Sequence, residues 1–396
     1  MNNWAKVGAI GIAMLFVFMV VPGGSTALAS AKNTQELNAV AANTSLVVFS
    51  DELNASEQYK GLAAEVTQMN VEDSFSTVSE GDIVLLESSW IATQQTASLA
   101  TDIYQVVRAG APVIIASDST ELIENVGQHL GSISYLDDAQ FYGVAYSPET
   151  GTKFNYSVGG FDTDAEALAV AYEWATTVAT SAAALTQTNG FDLTQLGDET
   201  LRQFSYNCGD FGIMSGSNLY YSLNDTSADY NYYLTHYRFQ ATPYSGKAIA
   251  DMVIYSTCAA NAPSGQTQQL YDYEPKAVAG GLSIPVKLTA GLSDAGFSLG
   301  AEILWTFTLP DVTFHDNSAI GANLMDHWYE FNECSETAYH AYMVEPGNVV
   351  KVSTGADGAY HATEEYRVTF CNIVLAHNWH NNFTEFRTTV HETIYP

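Results

Sequence analysis

His377-Asn378-Trp379-His380 is the one local histidine pair in this 396-residue chain. An i, i+3 spacing sets two imidazoles on one side of a turn, where a carboxylate such as Glu385 completes a metal set. H-E-x-x-H is absent, so a zinc-protease mechanism has no support. His315-Asp316 and Asp326-His327 are similar, less specific pairs. A second group of oxygen ligands stands where three apolar runs end: Ser50-Asp51-Glu52, Glu87-Ser88-Ser89 and Ser117-Asp118-Ser119. Ligands of open parallel sheets bind beyond the carboxyl ends of the strands, so Asp51, Glu87 and Asp118 could hold a hard cation such as Ca²⁺. Ser and Asp are equally preferred helix caps, and capping is the plainer role. Glycoside hydrolysis needs two carboxyl groups roughly 5–10 Å apart. Asp311, Asp316, Asp326, Glu330 and Glu333 form the pool for such a pair.

Other chemistries lack their residues. No Gly-rich loop follows the first apolar run, so a nucleotide cofactor is not expected. Ser117 is not within G-x-S-x-G, and His129 is the sole histidine of the first half. No catalytic residue is assigned, and no cofactor beyond a divalent cation.

Residues 1–31 read as a secretory signal. Lys6 precedes an apolar run of 15 residues, 7–21, broken by Pro22-Gly23-Gly24, and Ala27-Leu28-Ala29 offers a cleavage site. A membrane-spanning helix needs about 20 residues. The alternative is an uncleaved N-terminal anchor. Export puts Cys208, Cys258, Cys334 and Cys371 in an oxidising compartment, where an even set without C-x-x-C predicts two disulfides of undetermined connectivity. Asn43, Asn54, Asn155, Asn224 and Asn382 open N-x-S/T sequons for glycosylation.

With 13 basic residues against 44 acidic ones, the chain carries a net charge of −31. That excludes a nucleic-acid partner, because phosphate binding needs clustered Lys and Arg. Acidity is shared along the chain, but other residues divide it: all four cysteines, 17 of 24 tyrosines and eight of nine histidines follow residue 197.

The first half alternates strand and helix signals. Runs at 46–49, 83–86 and 113–116 suit strands buried on both faces. Windows 57–69 and 94–109 carry apolar residues at helical spacing, Asp118-Ser119-Thr120-Glu121 can cap a helix towards Val126, and Thr163-Asp164-Ala165-Glu166 is a capping box for one reaching Leu185. This rhythm predicts an α/β three-layer domain over 32–190 with a parallel, flavodoxin-like sheet. Asp82–Ser89, a helix, and then 106–116 resemble the class I glutamine amidotransferase-like fold. The resemblance implies the fold only: that family's activity needs a nucleophilic cysteine, and residues 1–207 contain none.

The second half reads as antiparallel β. Ile303, Trp305, Phe307 and Leu309 alternate with Leu304, Thr306 and Thr308, and Tyr366, Val368 and Phe370 alternate with Arg367, Thr369 and Cys371. Strands are also predicted at 219–223, 232–241, 250–257 and 284–289, with Glu345-Pro346-Gly347-Asn348 as the turn between 339–344 and 349–354. The expected result is a disulfide-stapled β-sandwich, jelly-roll-like, over 198–396. Alternation places some of Tyr220, Tyr221, Tyr230, Tyr232, Tyr233, Tyr237, Tyr271 and Tyr273 on an exposed face, where tyrosines suit sugars and protein partners.

By subtraction, the sequence points to a secreted or cell-surface, non-enzymatic protein. Its β domain would contact a glycan or an extracellular protein, and its α/β domain would be a scaffold. The alternatives are a secreted hydrolase with an acidic-pair or His–metal site, and a membrane-inserting β-rich protein using a hairpin over 205–241. No transmembrane helix is expected in the mature chain.

Overall fold

A computed structural model describes residues 45–52, 59–63, 65–69, 74–116, 119–186, 197–223, 228–258, 264–277, 283–289, 302–309, 312–332, 340–373 and 383–396. Among the described residues the protein is mostly β, with 54% strand and 19% helix. It divides into two compact units, 1–130 with 139–187, and 131–138 with 188–396.

In the first unit, β1 (Ser45–Phe49), β2 (Glu65–Met69), β3 (Ile83–Leu86) and β4 (Val113–Ala116) run parallel in the order β2-β1-β3-β4. β1, β3 and β4 are the three apolar runs, and burial on both faces explains why they do not alternate. A short helix α1 (Ser88–Ile91) follows β3. Helix α2 (Thr96–Arg108) buries Leu99, Ile103, Val106 and Val107, the stripe its spacing marked. Gly110, at φ 94°, ends that helix where a side chain would be strained. Helix α3 (Thr120–Leu130) leads into β5 (Ser132–Leu136), a strand of the second unit.

The first unit resumes with β6 (Ala139–Tyr146) and β7 (Lys153–Gly159), and here the parallel-sheet expectation fails. β6 lies antiparallel to β4, and β7 antiparallel to β6, so the sheet is mixed. The window 57–69 also departs from its helical reading. Its last five residues form β2, in parallel register with Ser45–Phe49, because ladder hydrogen bonds and the β-branched Val66 and Thr67 outweigh a weak helical spacing. Helix α4 (Asp164–Thr186) starts as its capping box predicts: the Glu166 amide donates to Thr163 Oγ1 at 3.3 Å. Its Trp174 stacks on Tyr156 with centroids 5.0 Å apart, across Gly143.

The second unit holds β8 (Gly197–Asn207), β9 (Gly212–Leu223), β10 (Tyr230–His236), β11 (Phe239–Pro243), β12 (Lys247–Thr257), β13 (Gln268–Glu274), β14 (Ser283–Thr289), β15 (Glu302–Thr308), β16 (Val312–Asp316), β17 (Leu324–Phe331), β18 (Tyr342–Val344), β19 (Gly347–Ser353), β20 (Tyr360–Asn372) and β21 (Phe383–Ile394). One antiparallel array runs β13-β19-β10-β9-β8, with β11 pairing β9 and β18. A second sheet runs β16-β17-β12-β20-β21-β5, and β14 pairs only with β15 among the described strands.

A self-contained jelly-roll-like sandwich over 198–396 is therefore not what forms, since β5 completes the six-stranded sheet by pairing with β21. Glu345-Pro346 does not close a hairpin either. β18 turns to β11 while β19 pairs β10 and β13.

Between the arrays lies a buried ionic cluster. Arg202 of β8 ion-pairs with Glu364 of β20, and its Nε lies 2.6 Å from Glu392 of β21. The guanidinium also donates to the Tyr366 hydroxyl at 2.8 Å, and Ser134 of β5 donates to Glu392 at 2.8 Å. One cation thus serves two carboxylates. Burial, then the neighbouring Glu364 charge against the opposing pull of Arg202, raises Glu392 to about 8, so this acid carries a proton at neutral pH.

Candidate functional site

The strand-end carboxylates do not converge. Asp51 is an exposed bend residue, and Glu87 accepts a hydrogen bond from the Tyr59 hydroxyl. Asp118 and Ser117 lie outside the described residues, as do His377, His380, Asp311 and Glu333. Glu385 is exposed on β21, 3.8 Å from Arg387. Among the described residues no group of three His, Cys, Asp or Glu side chains could hold a metal ion.

Cys208 and Cys258 are buried free thiols, and burial pushes each up to about 12. Cys371 is buried with its Sγ 3.8 Å from the Ala248 carbonyl oxygen, and Cys334 lies outside the described residues. Asn155 is buried in β7, where a glycan has no room, whereas Asn43, Asn54, Asn224 and Asn382 fall outside the described residues.

Nor do the tyrosines form the expected platform. Tyr220, Tyr221, Tyr232, Tyr233, Tyr237 and Tyr273 are all buried, and only Tyr230 and Tyr271 are half-exposed. β9 and most of β10 are buried on both faces, so alternation sends neighbouring tyrosines into two interiors rather than to solvent. The same burial removes 205–241 as a free hairpin, because it is spread over β8 to β11. A buried pair that no local motif signals joins His236 to Glu345, Nε2 to Oε2 at 3.0 Å, across 109 residues of sequence.

Two other features remain. The first is the outer face of the six-stranded sheet, set by the alternation of β17, β20 and β21. His315 stacks on Trp328 at 4.4 Å and meets Glu330 at 3.2 Å. Asp251 sits opposite Glu330 on one side and Thr369 on the other, and burial, with Glu385 and Glu330 nearby, lifts it to about 6 despite Thr369 and Arg367. Arg367 and Arg387 face each other directly, each paired with a glutamate two residues earlier on its strand.

The second feature is the two-stranded sheet β14–β15. Ile284, Val286, Leu288, Phe307 and Leu309 are buried, whereas Pro285, Thr306 and Thr308 are exposed. Register pairs Ile284 with Phe307, Val286 with Trp305 and Leu288 with Ile303. Phe307 sets its edge against Tyr329 of β17, centroids 6.2 Å apart. An amphipathic ribbon thus lies apolar face down, without a ladder to any third described strand.

Behind Tyr329 lies His327, fully buried, with neither ring nitrogen in a hydrogen bond. Tyr273, Phe314 and Tyr329 surround its ring at 5.6, 5.2 and 6.3 Å. Asp316 Oδ1 stands 3.9 Å from Nε2, and Tyr273 donates to Asp316 Oδ2 at 3.0 Å. Burial drives His327 down to about 4 against the opposing pull of Asp316.

No family model matches the chain, and no curated protein matches it. Solved structures resemble it slightly. A chain described as a pore-forming protein shares 10% identity over 51% of this chain and 94% of its own, at a TM-score of 0.31. The Clostridium perfringens NetB toxin in its membrane-inserted form shares 9% over 50% and 96%, at 0.24. The C-terminal domain of the Streptococcus agalactiae AgI/II polypeptide BspA shares 8% over 45% and 57%, at 0.19.

Proposed function

We propose that this chain is an exported, non-catalytic protein that acts on membranes, and that 283–309 is the segment that enters the bilayer. The observation that carries this reading is the β14–β15 ribbon: its described side chains alternate, Ile284, Val286, Leu288, Phe307 and Leu309 buried against Pro285, Thr306 and Thr308 exposed, and it is paired with no other described strand. In the sequence beyond these strands the same parity continues: Ala290, Leu292, Leu299 and Ala301 hold the apolar positions. Gly291, Ser293, Ser298 and Gly300 hold the intervening positions. The two arms, 283–293 and 298–308, are 11 residues each, and a tilted transmembrane strand needs about 9–11. Apolar-out, polar-in alternation with few charges is the pattern of strands that cross lipid. No described helix is long and apolar enough to cross a membrane.

The test exploits parity. Leu299→Glu places a charge in the apolar set of the sequence alternation and is expected to cut dye release from phosphatidylcholine vesicles at least tenfold. Ser298→Glu, one residue away on the other face, is expected to leave it within twofold. Equal effects from the two substitutions, or no release by the unmodified chain, would refute the proposal.

A second reading is supported by the outer face of the six-stranded sheet, where Trp328, His315, Arg367 and Arg387 line one row across the strands. An aromatic ring with flanking guanidinium and carboxylate groups suits a glycan or a protein partner at the cell surface. Trp328→Ala is expected to abolish retention on a glycan array or target-cell pull-down, and undiminished retention would remove this face from consideration.

A further inference from the structure

We infer that His327 is an acid-sensitive latch for the β14–β15 ribbon: protonation of this buried ring favours the state in which the ribbon has left the body of the protein. The inference rests on the membrane-acting reading for its purpose, but not for its physics. Tyr329 stands between His327 and the ribbon, with Phe307 against one side and the imidazole at the other. When β15 departs, Phe307 goes with it and Tyr329 loses its cover on that side, keeping Phe314 on another. Water then reaches a ring that the closed protein leaves with two unsatisfied nitrogens. A buried polar group without a hydrogen bond is costly, and it is costlier still when charged.

The surroundings decide the sign. From β16 the only titratable side chain facing His327 is Asp316, while His315 points to the other face and stacks on Trp328. From β13 it is Tyr273, whose hydroxyl is committed to Asp316 and whose ring lies beneath Lys276 Nζ at 5.2 Å. From β17 itself it is Tyr329, β12 sets Ile254 opposite, and among the described side chains of β15 Phe307 is the one in ring contact with Tyr329. One carboxylate at 3.9 Å does not offset full burial, so the closed protein holds the ring neutral down to about pH 4. Released into water, an imidazole titrates near 6.5. The released state therefore binds the proton first, and the closed state loses stability as pH falls through that value. Between pH 7 and pH 5 this single group shifts the open-to-closed ratio about 20-fold.

Amide exchange on the full chain, expressed as protection factors from pH 7 to pH 5, reads the latch directly. Protection in β14 and β15 is expected to fall about 20-fold while that of β20 stays level. His327→Phe, which keeps a ring in the aromatic box, is expected to flatten the dependence. Dye release from phosphatidylcholine vesicles is measured alongside. A ribbon whose protection does not change with pH, or a His327→Phe chain with the full dependence, overturns the latch. If the substituted chain does not fold, the profile of the unmodified chain decides alone. Opening on acidification without dye release supports the latch and removes the membrane reading, so the two failures are separable.

Discussion

At the scale of single residues, the charges inside the second unit are structural groups. Arg202 neutralises Glu364 and holds Glu392 by its side, and removing one partner from a buried cluster leaves charge without compensation. Arg202→Met is expected to cost about 3–5 kcal/mol in urea unfolding, and adding Glu364→Gln and Glu392→Gln should restore part of it. Glu392 also gives this unit a pH dependence. Its acid is raised from the ordinary carboxylate value to about 8 in the folded protein, so the folded state binds a proton that the unfolded chain has released. Stability from this group is complete below about pH 4.5 and declines as pH rises towards 8. Urea midpoints should fall across that window and flatten in Glu392→Gln. A steeper fall in the variant would contradict the assignment.

Among elements, one sequence pattern can serve two environments. The alternation of Ile303, Trp305, Phe307 and Leu309 was legible in the sequence, and the described end of β15 has it, with Phe307 and Leu309 buried and Thr306 and Thr308 exposed. What the pattern alone did not reveal is that Phe307 on its apolar face covers Tyr329 while, among the described strands, it pairs with β14 only. Tyrosine spacing misled for a related reason: strand alternation names two faces, and burial of both defeats any inference of exposure. Helix signals backed by a cap or a full apolar stripe were more dependable because they are local, whereas the bare spacing over 57–69 gave way to β2. Thr163 caps α4 as its sequence predicts, so Thr163→Ala should lower stability by about 1 kcal/mol, read as a shift in thermal midpoint. Beneath the same helix, a methyl added at Gly143 of β6 would run into the Trp174 ring, so Gly143→Ala should be more damaging than the cap loss.

For the whole molecule, charge is the dominant physical fact. A net charge of −31 repels itself in the compact state, and dissolved salt screens that repulsion. The melting temperature should climb as NaCl is raised from about 20 mM to about 500 mM. A decline would mean that paired charges such as Arg367–Glu365 outweigh the general repulsion.

Local chemistry determined much of this protein without help from its fold: the acidic surface, the apolar runs of β1, β3 and β4, the helix over 96–108, the capped start of α4, and the alternating strands of the second half. Each depends on neighbours a few residues apart, where period and capping act directly. Only the tertiary structure decided that β6 and β7 turn the first sheet mixed, that residues 132–136 complete a sheet with 390–394, and that Arg202 meets Glu364 and Glu392. It likewise placed His327 behind Tyr329 and Phe307. These pairings join residues tens to hundreds of positions apart, and they are chosen by which burial satisfies the most backbone and charge at once, a global condition that no short window of residues contains.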